Sequence, residues 1–249
     1  SFYIQTRRQR SSGKAHEPTK RTRHRLCMAR SVPYGILQEV RHMKKVITIG
    51  REFGSGGREL GRRIAEKLQI AYYDQEIVTE IAKRTKLSEK YVERITEDRP
   101  YISYPIHAGM SFHTAYYAYT EFDRSLTVFA EQHSIIKELA EKSDCVIVGR
   151  CADYILKEKD PFRIFVYADA QSKLERCRER SPEDEKLSDS KMQRSIRSID
   201  KGRARYYNYF SHQKWGACEN YDLLINTSGK DIKQVSEAVA DYLKRYLFG

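Results

Sequence analysis

The stretch GREFGSGGRELG, residues 50–61, constrains this chain more than any other feature. The apolar run Val46–Ile49 leads into it, and Leu60, Ile64 and Leu68 recur every four residues behind it, the spacing of one helix face. The glycines therefore lie between a strand and a helix. At a helix start the first N–H groups lack intrahelical partners and are free to meet an anion. Gly54, Gly56 and Gly57 permit positive φ, so the backbone can curl its N–H groups around a phosphate, with Ser55 inside the curl. Arg58 and Glu59 complete the first helical turn, where an arginine offers paired donors to a phosphate oxygen. The expected phosphate contacts are thus Gly54, Ser55, Gly56, Gly57, Arg58 and Glu59. A plain turn that binds nothing is the alternative, but four glycines within residues 50–57 exceed what a turn requires. The lysine usual after the last loop glycine is missing. Gly57 stands there, and Arg58 and Glu59 follow where Ser or Thr is usual. Positive charge beside the bound anion must then come from Arg58, Arg62 or elsewhere, or be weak.

Further along, Ala71–Tyr73 suits a short strand, followed by helices over 75–84 and 88–96, the second capped by Ser88. Residues 101–122 are rich in Tyr, Phe and His and show no clear period; packing is their ordinary use, and stacking on a planar ligand is the alternative. A long helix is expected over 125–142, strands at Cys145–Val148 and Arg163–Tyr167, a helix capped by Asp169, and a basic helix over 190–209. Leu223–Ile225 reads as the last strand, and Ile232, Val235, Val239 and Leu243 mark the closing helix. Five strands alternating with helices predict a parallel sheet covered on both faces.

The 249 residues have a net charge of +12, which suggests a nucleic-acid partner until its distribution is considered. Residues 1–43 contribute +8 and the remaining 206 only +4. Residues 1–42 lack apolar periodicity and read as a disordered basic tail. Three readings of it stay open. Met43-Lys44-Lys45 before a strand resembles a natural start, so the tail is then extraneous; it is otherwise a plain solvated tail, or an arm for nucleic acid. The domain proper is expected over 43–249. No run reaches the roughly 18 apolar residues of a membrane helix. The cysteines Cys27, Cys145, Cys151, Cys177 and Cys218 are odd in number and form no CxxC pair, which argues against disulfides and zinc and for a reducing cytoplasm. Cys145 and Cys151 read as packing residues. His107, His113, His133 and His212 stand at no metal-ligand spacing, so no metal site is assigned.

Several segments together resemble the cytidylate kinase-like family: GREFGSGGRELG, AYYDQEIV around Asp74, VIVGRCADYIL from Val146, RSIDKGRARYY from Arg197, and DLLINTSG from Asp222. The resemblance covers about residues 44–248. It implies a three-layer P-loop kinase fold, with a five-stranded parallel sheet, helices on both faces and a helical lid. It also implies ATP and Mg2+ as cofactors. In the family, a Gly-Arg-Asp segment after the third strand holds the acceptor nucleotide. Gly149 and Arg150 match its first two residues, Cys151 replaces the aspartate, and Asp153 follows. Arg197, Asp200 and Arg203 correspond to lid residues, with Ser198 in place of an aspartate. The implied catalytic set is Arg58, Arg197, Asp200 and Arg203, and the acceptor set is Asp74, Arg150 and Asp153. Thr227 and Ser228 fall on the adenine side. Plainer readings remain for each: Arg150 as the partner of a surface carboxylate, Asp74 as a turn residue, and the basic helix as a solvated face.

The expected activity is ATP-dependent phosphoryl transfer to a nucleoside monophosphate, with cytidylate favoured. Two alternatives share the fold: a nucleotide-binding module without catalysis, in which the missing lysine records lost transfer, and a kinase of another small acceptor. The expected partners are nucleotide substrates, with neither membrane nor nucleic acid. The oligomeric state stays open, a homodimer included.

Overall fold

The computed structural model describes residues 44–97, 112–181 and 187–248; the expectations for residues 1–42 and for 98–111 lie outside them. In chain order the elements are β1 (Val46–Arg51), α1 (Gly57–Leu68), β2 (Ala71–Tyr73), α2 (Gln75–Thr85), α3 (Glu89–Glu97), α4 (Phe112–Lys142), β3 (Cys145–Val148), α5 (Ala152–Ile155), β4 (Phe162–Tyr167), α6 (Ala170–Arg180), α7 (Asp189–Ser211), β5 (Leu223–Asn226) and α8 (Ile232–Leu247). All strand pairs are parallel, in the order β2-β3-β1-β4-β5. β1 is central, so the glycine loop leaves the sheet at its middle.

Strand residues alternate between two cores. Ile47, Ile49, Val146, Val148 and Ile164 pack with Leu60 and Ile64 of α1 and with Val235, Val239 and Leu243 of α8. Val46, Cys145 and Ile147 face the other way, onto Ile77 and Ile81 of α2, Val128 and Ile136 of α4, and Tyr206 of α7. Burial on both faces is why the strands read as unbroken apolar runs. Ile47, Ile49, Leu60, Ile64 and Ile147 are fully buried, each side chain contributing roughly 1.5–3 kcal/mol.

Helix α4 is longer than expected. It begins at Phe112 rather than near 125. Aromatic residues have only moderate helix propensity, and tertiary contacts decide the matter in its middle: Phe122 packs edge-on to Tyr209, and Phe129 stacks on Phe210 with ring centroids 3.9 Å apart. The caps fall as expected at Ser88, whose Oγ accepts from Tyr91 N–H at 3.3 Å, and at Asp169, which accepts from Ser172 N–H at 2.7 Å. Among the described residues no helix is long and apolar enough to cross a membrane.

Candidate active site

The glycine loop joins β1 to α1 through left-handed residues, Gly54 at φ 76 and Gly56 at φ 80. Each is also tightly enclosed. A Cβ on Gly54 would lie 2.9 Å from the Lys173 carbonyl, and one on Gly56 2.5 Å from Ile232 Cδ1. Gly56 caps α1 with no side-chain acceptor. Leu60 N–H reaches the Gly56 carbonyl at 2.9 Å, whereas among the described residues the N–H groups of Gly57, Arg58 and Glu59 meet no acceptor. They form an open N–H cradle, reinforced by about half a positive charge from the helix dipole. Ser55 is buried, its Oγ donating to the Glu52 carbonyl at 2.8 Å. Glu59 turns away, to Arg63 at 2.8 Å and to Arg180.

Beside the cradle stands a group of three arginines, two of them buried and Arg203 partly so. Arg51 ends β1, Arg150 follows β3 in the left-handed region at φ 57, and Arg203 comes from α7. They converge on one carboxylate, Glu97 at the end of α3. Arg203 donates to Glu97 Oε2 through Nη2 at 2.7 Å and Nε at 3.1 Å. Arg51 Nη2 lies 3.4 Å and Arg150 Nη2 3.9 Å from Glu97 Oε1. Burial alone would raise the Glu97 carboxyl, but Arg51, Arg203 and Arg150 outweigh it and hold the pKa at about 2. Burial, with Arg203 nearby, depresses the Arg51 guanidinium to about 10. Arg150 donates to Thr96 Oγ1, and its carbonyl accepts from Gln132 Nε2 at 2.8 Å. Its Nε and Nη2 are buried without a hydrogen-bond partner. Such a group is costly unless a ligand completes it.

Asp74 closes the gap between loop and arginines. It is 4 % exposed at the end of β2, its Oδ2 2.5 Å from Arg58 Nε and its Oδ1 3.9 Å from Arg51 Nη2. The Arg58 side chain is 57 % exposed. Asp200 of α7 accepts from Phe53 N–H at 2.6 Å and pairs with Lys173 at 3.0 Å, and Lys173 also reaches Glu52 at 3.0 Å. The lid helix is thereby fastened to the glycine loop through a lysine on α6. Arg197 is exposed. It lies six residues from Arg203, about 120° around the helix.

The cleft above the arginines, about 420 Å3 with its open mouth included, is also lined by Tyr206, Tyr207, Trp215 and Tyr221. Asp153 lies there, accepting from Tyr207 O–H at 2.7 Å; burial pushes its carboxyl up. Thr227 and Ser228 lie across the loop instead. Thr227 Oγ1 donates to the Ser55 carbonyl at 2.7 Å, and Ser228 Oγ accepts from Asp169 N–H at 2.7 Å. Arg176 of α6 clamps this turn, donating to the Thr227 carbonyl, to the Lys230 carbonyl at 3.1 Å and to the Gly54 carbonyl at 3.4 Å. Cys145 and Cys151 are buried, and burial pushes the Cys145 thiol up to about 12.

The structure thus gathers Arg58, Asp74, Arg150, Asp153, Asp200 and Arg203 around the carboxyl ends of the strands. Thr227 and Ser228 are set on the loop's other flank, and Arg197 is left outside. Residues that the sequence reading overlooked include Glu97, Thr96, Lys173 and Arg176. None carries a local signal, because their partners are far away in the chain. Arg51 did carry one, as a charged residue inside an otherwise buried strand-to-loop junction.

A central strand, an N–H cradle at the next helix and a helical lid over the sheet's carboxyl ends define a P-loop kinase-type fold. The chain belongs to the cytidylate kinase-like family, which matches residues 46–229. That membership supports a nucleotide-dependent kinase. An uncharacterized protein from Eubacterium ventriosum is similar at 25% identity and TM-score 0.58, covering 81% of this chain and 99% of its own. Shikimate kinase from Bacteroides thetaiotaomicron is more distant, with 16% identity, TM-score 0.49 and coverage of 82% and 99%. At that distance it does not bear on substrate. None of the curated proteins matches the chain.

Proposed function

We propose that this chain is an ATP-dependent kinase whose acceptor is a nucleoside monophosphate, with cytidylate the favoured one. The observation that carries the reading is the presence of two anion sites on either side of Arg51: the open N–H cradle of Gly57–Glu59, and the Arg150 guanidinium with two buried nitrogens unpartnered. Phosphoryl transfer to a nucleoside monophosphate brings two phosphate-bearing partners face to face, with charge already in place around them.

The residues present suit the nucleotide. The unpaired N–H groups of Gly57–Glu59 fit a polyphosphate, and Gly54 and Gly56 supply the left-handed turn that presents them. Among the described residues no group of three His, Cys, Asp or Glu is arranged to hold a metal by itself. Mg2+ in kinases arrives with phosphates and takes one or two carboxylates, and Asp74, with a buried unpartnered oxygen, is the candidate here. Bound ATP supplies the transferred group, and Mg2+ part of the charge that its phosphates require.

The chain's own residues do the rest. Gly54–Glu59 hold phosphate oxygens through the backbone. Arg150 grips the acceptor phosphate by a charge-assisted fork. Arg203, anchored on Glu97, stabilises charge on the group in flight. Asp200 keeps the lid helix registered on the loop, and Arg197 joins only if the lid moves. Trp215, half-buried in the cleft wall, offers a face for a planar base, with Asp153 and the buried Tyr206 and Tyr221 also lining the cleft. The absence of lysine at 57 is the one observation favouring a binding module without turnover. Acceptor-dependent ADP formation across nucleoside monophosphates separates the two. Turnover with at least one of them is expected; ATP binding with no acceptor-dependent turnover leaves only the module.

A further inference from the structure

The cation missing from the glycine loop has a place in the structure. The usual loop pattern, G-x-x-x-x-G-K, sets a glycine six positions before its lysine. Counted back from Gly57, which occupies the lysine position, the first glycine falls on Arg51. Glycine and cation have exchanged places.

The packing gives the exchange a physical basis. A Cβ built on Gly57 would lie 2.6 Å from Arg51 Cβ and 3.2 Å from its Cγ. The space from which a side chain at 57 would leave is the space that the Arg51 stem fills. Only one of the two positions can carry a side chain. At the other end the Arg51 guanidinium lies so close over Gly149 that a Cβ there would collide with it. Gly57 therefore leaves room for the arginine at its stem, and Gly149, at φ 71, leaves room at its head.

Charge separates Arg51 from its rivals. Lys173 is held by two carboxylates at 3.0 Å each, and Arg58 by Asp74 at 2.5 Å with more than half its side chain exposed. Arg51 is 7 % exposed, and its own carboxylate contacts are long, 3.4 Å to Glu97 and 3.9 Å to Asp74. It is buried, positive and loosely compensated, beside the N–H cradle.

We propose that Arg51 performs the work of the absent loop lysine, meeting the outer phosphates of the nucleotide held by the loop, with Gly57 and Gly149 kept small to admit it. This rests on the reading of the loop as a nucleoside-polyphosphate site.

The test uses the full chain and calorimetric binding of ATP, ADP and AMP, which needs no turnover. Wild type should prefer ATP to AMP. Arg51→Met should lose roughly 10–100-fold of that preference, the worth of one charge-assisted hydrogen bond. The transplant Arg51→Gly/Gly57→Lys returns the loop to the ordinary pattern and should recover most of the loss. It should also melt higher than Gly57→Lys alone, in which the new Cβ meets Arg51. Where Arg51→Met fails to fold, the double variant decides: retained ATP preference supports the exchange and its loss overturns it. Undiminished preference in Arg51→Met overturns the role of Arg51 and leaves the kinase reading standing. A wild type that binds AMP as well as ATP removes the polyphosphate site, and with it both claims.

Discussion

Glu97 Oε2 lies 2.7 Å from Arg203 Nη2, joining the last residue of α3 to the lid helix across 106 positions of sequence. The same carboxylate faces Arg51 and Arg150, so one negative charge serves three positive ones. An anionic ligand entering this cluster meets arginines already arranged and under-neutralised, which is how a site is organised in advance of binding.

Replacing that carboxylate should expose the imbalance. Glu97→Gln is expected to lower the melting temperature in phosphate-free buffer, because removing one partner of a buried charge cluster leaves the others uncompensated. Added inorganic phosphate should restore more stability in the variant than in wild type. The pH dependence has a defined sign. With its folded pKa held at about 2, below the ordinary 4.5, Glu97 contributes stability that is fully present above pH 4.5 and is lost as pH falls towards 2. Melting curves between pH 2 and 6 should therefore be steeper for wild type than for Glu97→Gln. Parallel curves would show that Glu97 carries no such charge coupling.

Arg150 should bear on the acceptor alone. Its Nε and Nη2 are buried without a hydrogen-bond partner, whereas the proposed site of ATP is the loop. In steady-state kinetics Arg150→Ala should raise the acceptor KM at least tenfold, within the worth of a charged hydrogen bond at roughly 1.5–3 kcal/mol, and shift that of ATP far less. Equal effects on both substrates would take Arg150 out of the acceptor site.

Asp200 should act through position. It holds Phe53 N–H at 2.6 Å and Lys173 at 3.0 Å, not a free face of the cleft. Asp200→Asn keeps an acceptor for the N–H but weakens the ion pair, and should lower kcat more than it raises KM for either substrate. Asp200→Ala loses both and should be worse by about tenfold, the effect of one lost buried hydrogen bond of ~1.5 kcal/mol. Indistinguishable kinetics for the two variants would argue against the latch.

The scaffold was legible because its signals are local. Leu60 and Ile64 show the α1 period, Val46–Ile49 and Cys145–Val148 show strands buried on both faces, and the glycines mark a turn that needs positive φ. The cluster around Glu97 was not legible, since its hydrogen-bonded partners Arg51 and Arg203 lie 46 and 106 residues away. Nor does sequence tell which arginines of α7 point inward. Arg197 and Arg203 look equivalent in a basic run, yet they stand on different sides of the helix. The role of Arg51 needed the packing of Gly57 to become visible, because the motif reads as a loop with a residue missing rather than one with two residues exchanged.

The central claim, transfer of a phosphoryl group from ATP to a nucleoside monophosphate, is tested most directly by following both nucleotides in one reaction by 31P NMR. With wild type, ATP, Mg2+ and cytidylate, the γ-phosphorus signal should fall as ADP and cytidine diphosphate rise in equal amounts. Arg203→Ala should slow this by roughly 10²-fold, the order found for removing one preorganised donor. ATP that stays intact beside cytidylate and every other nucleoside monophosphate, while calorimetry still shows it bound, would contradict the claim.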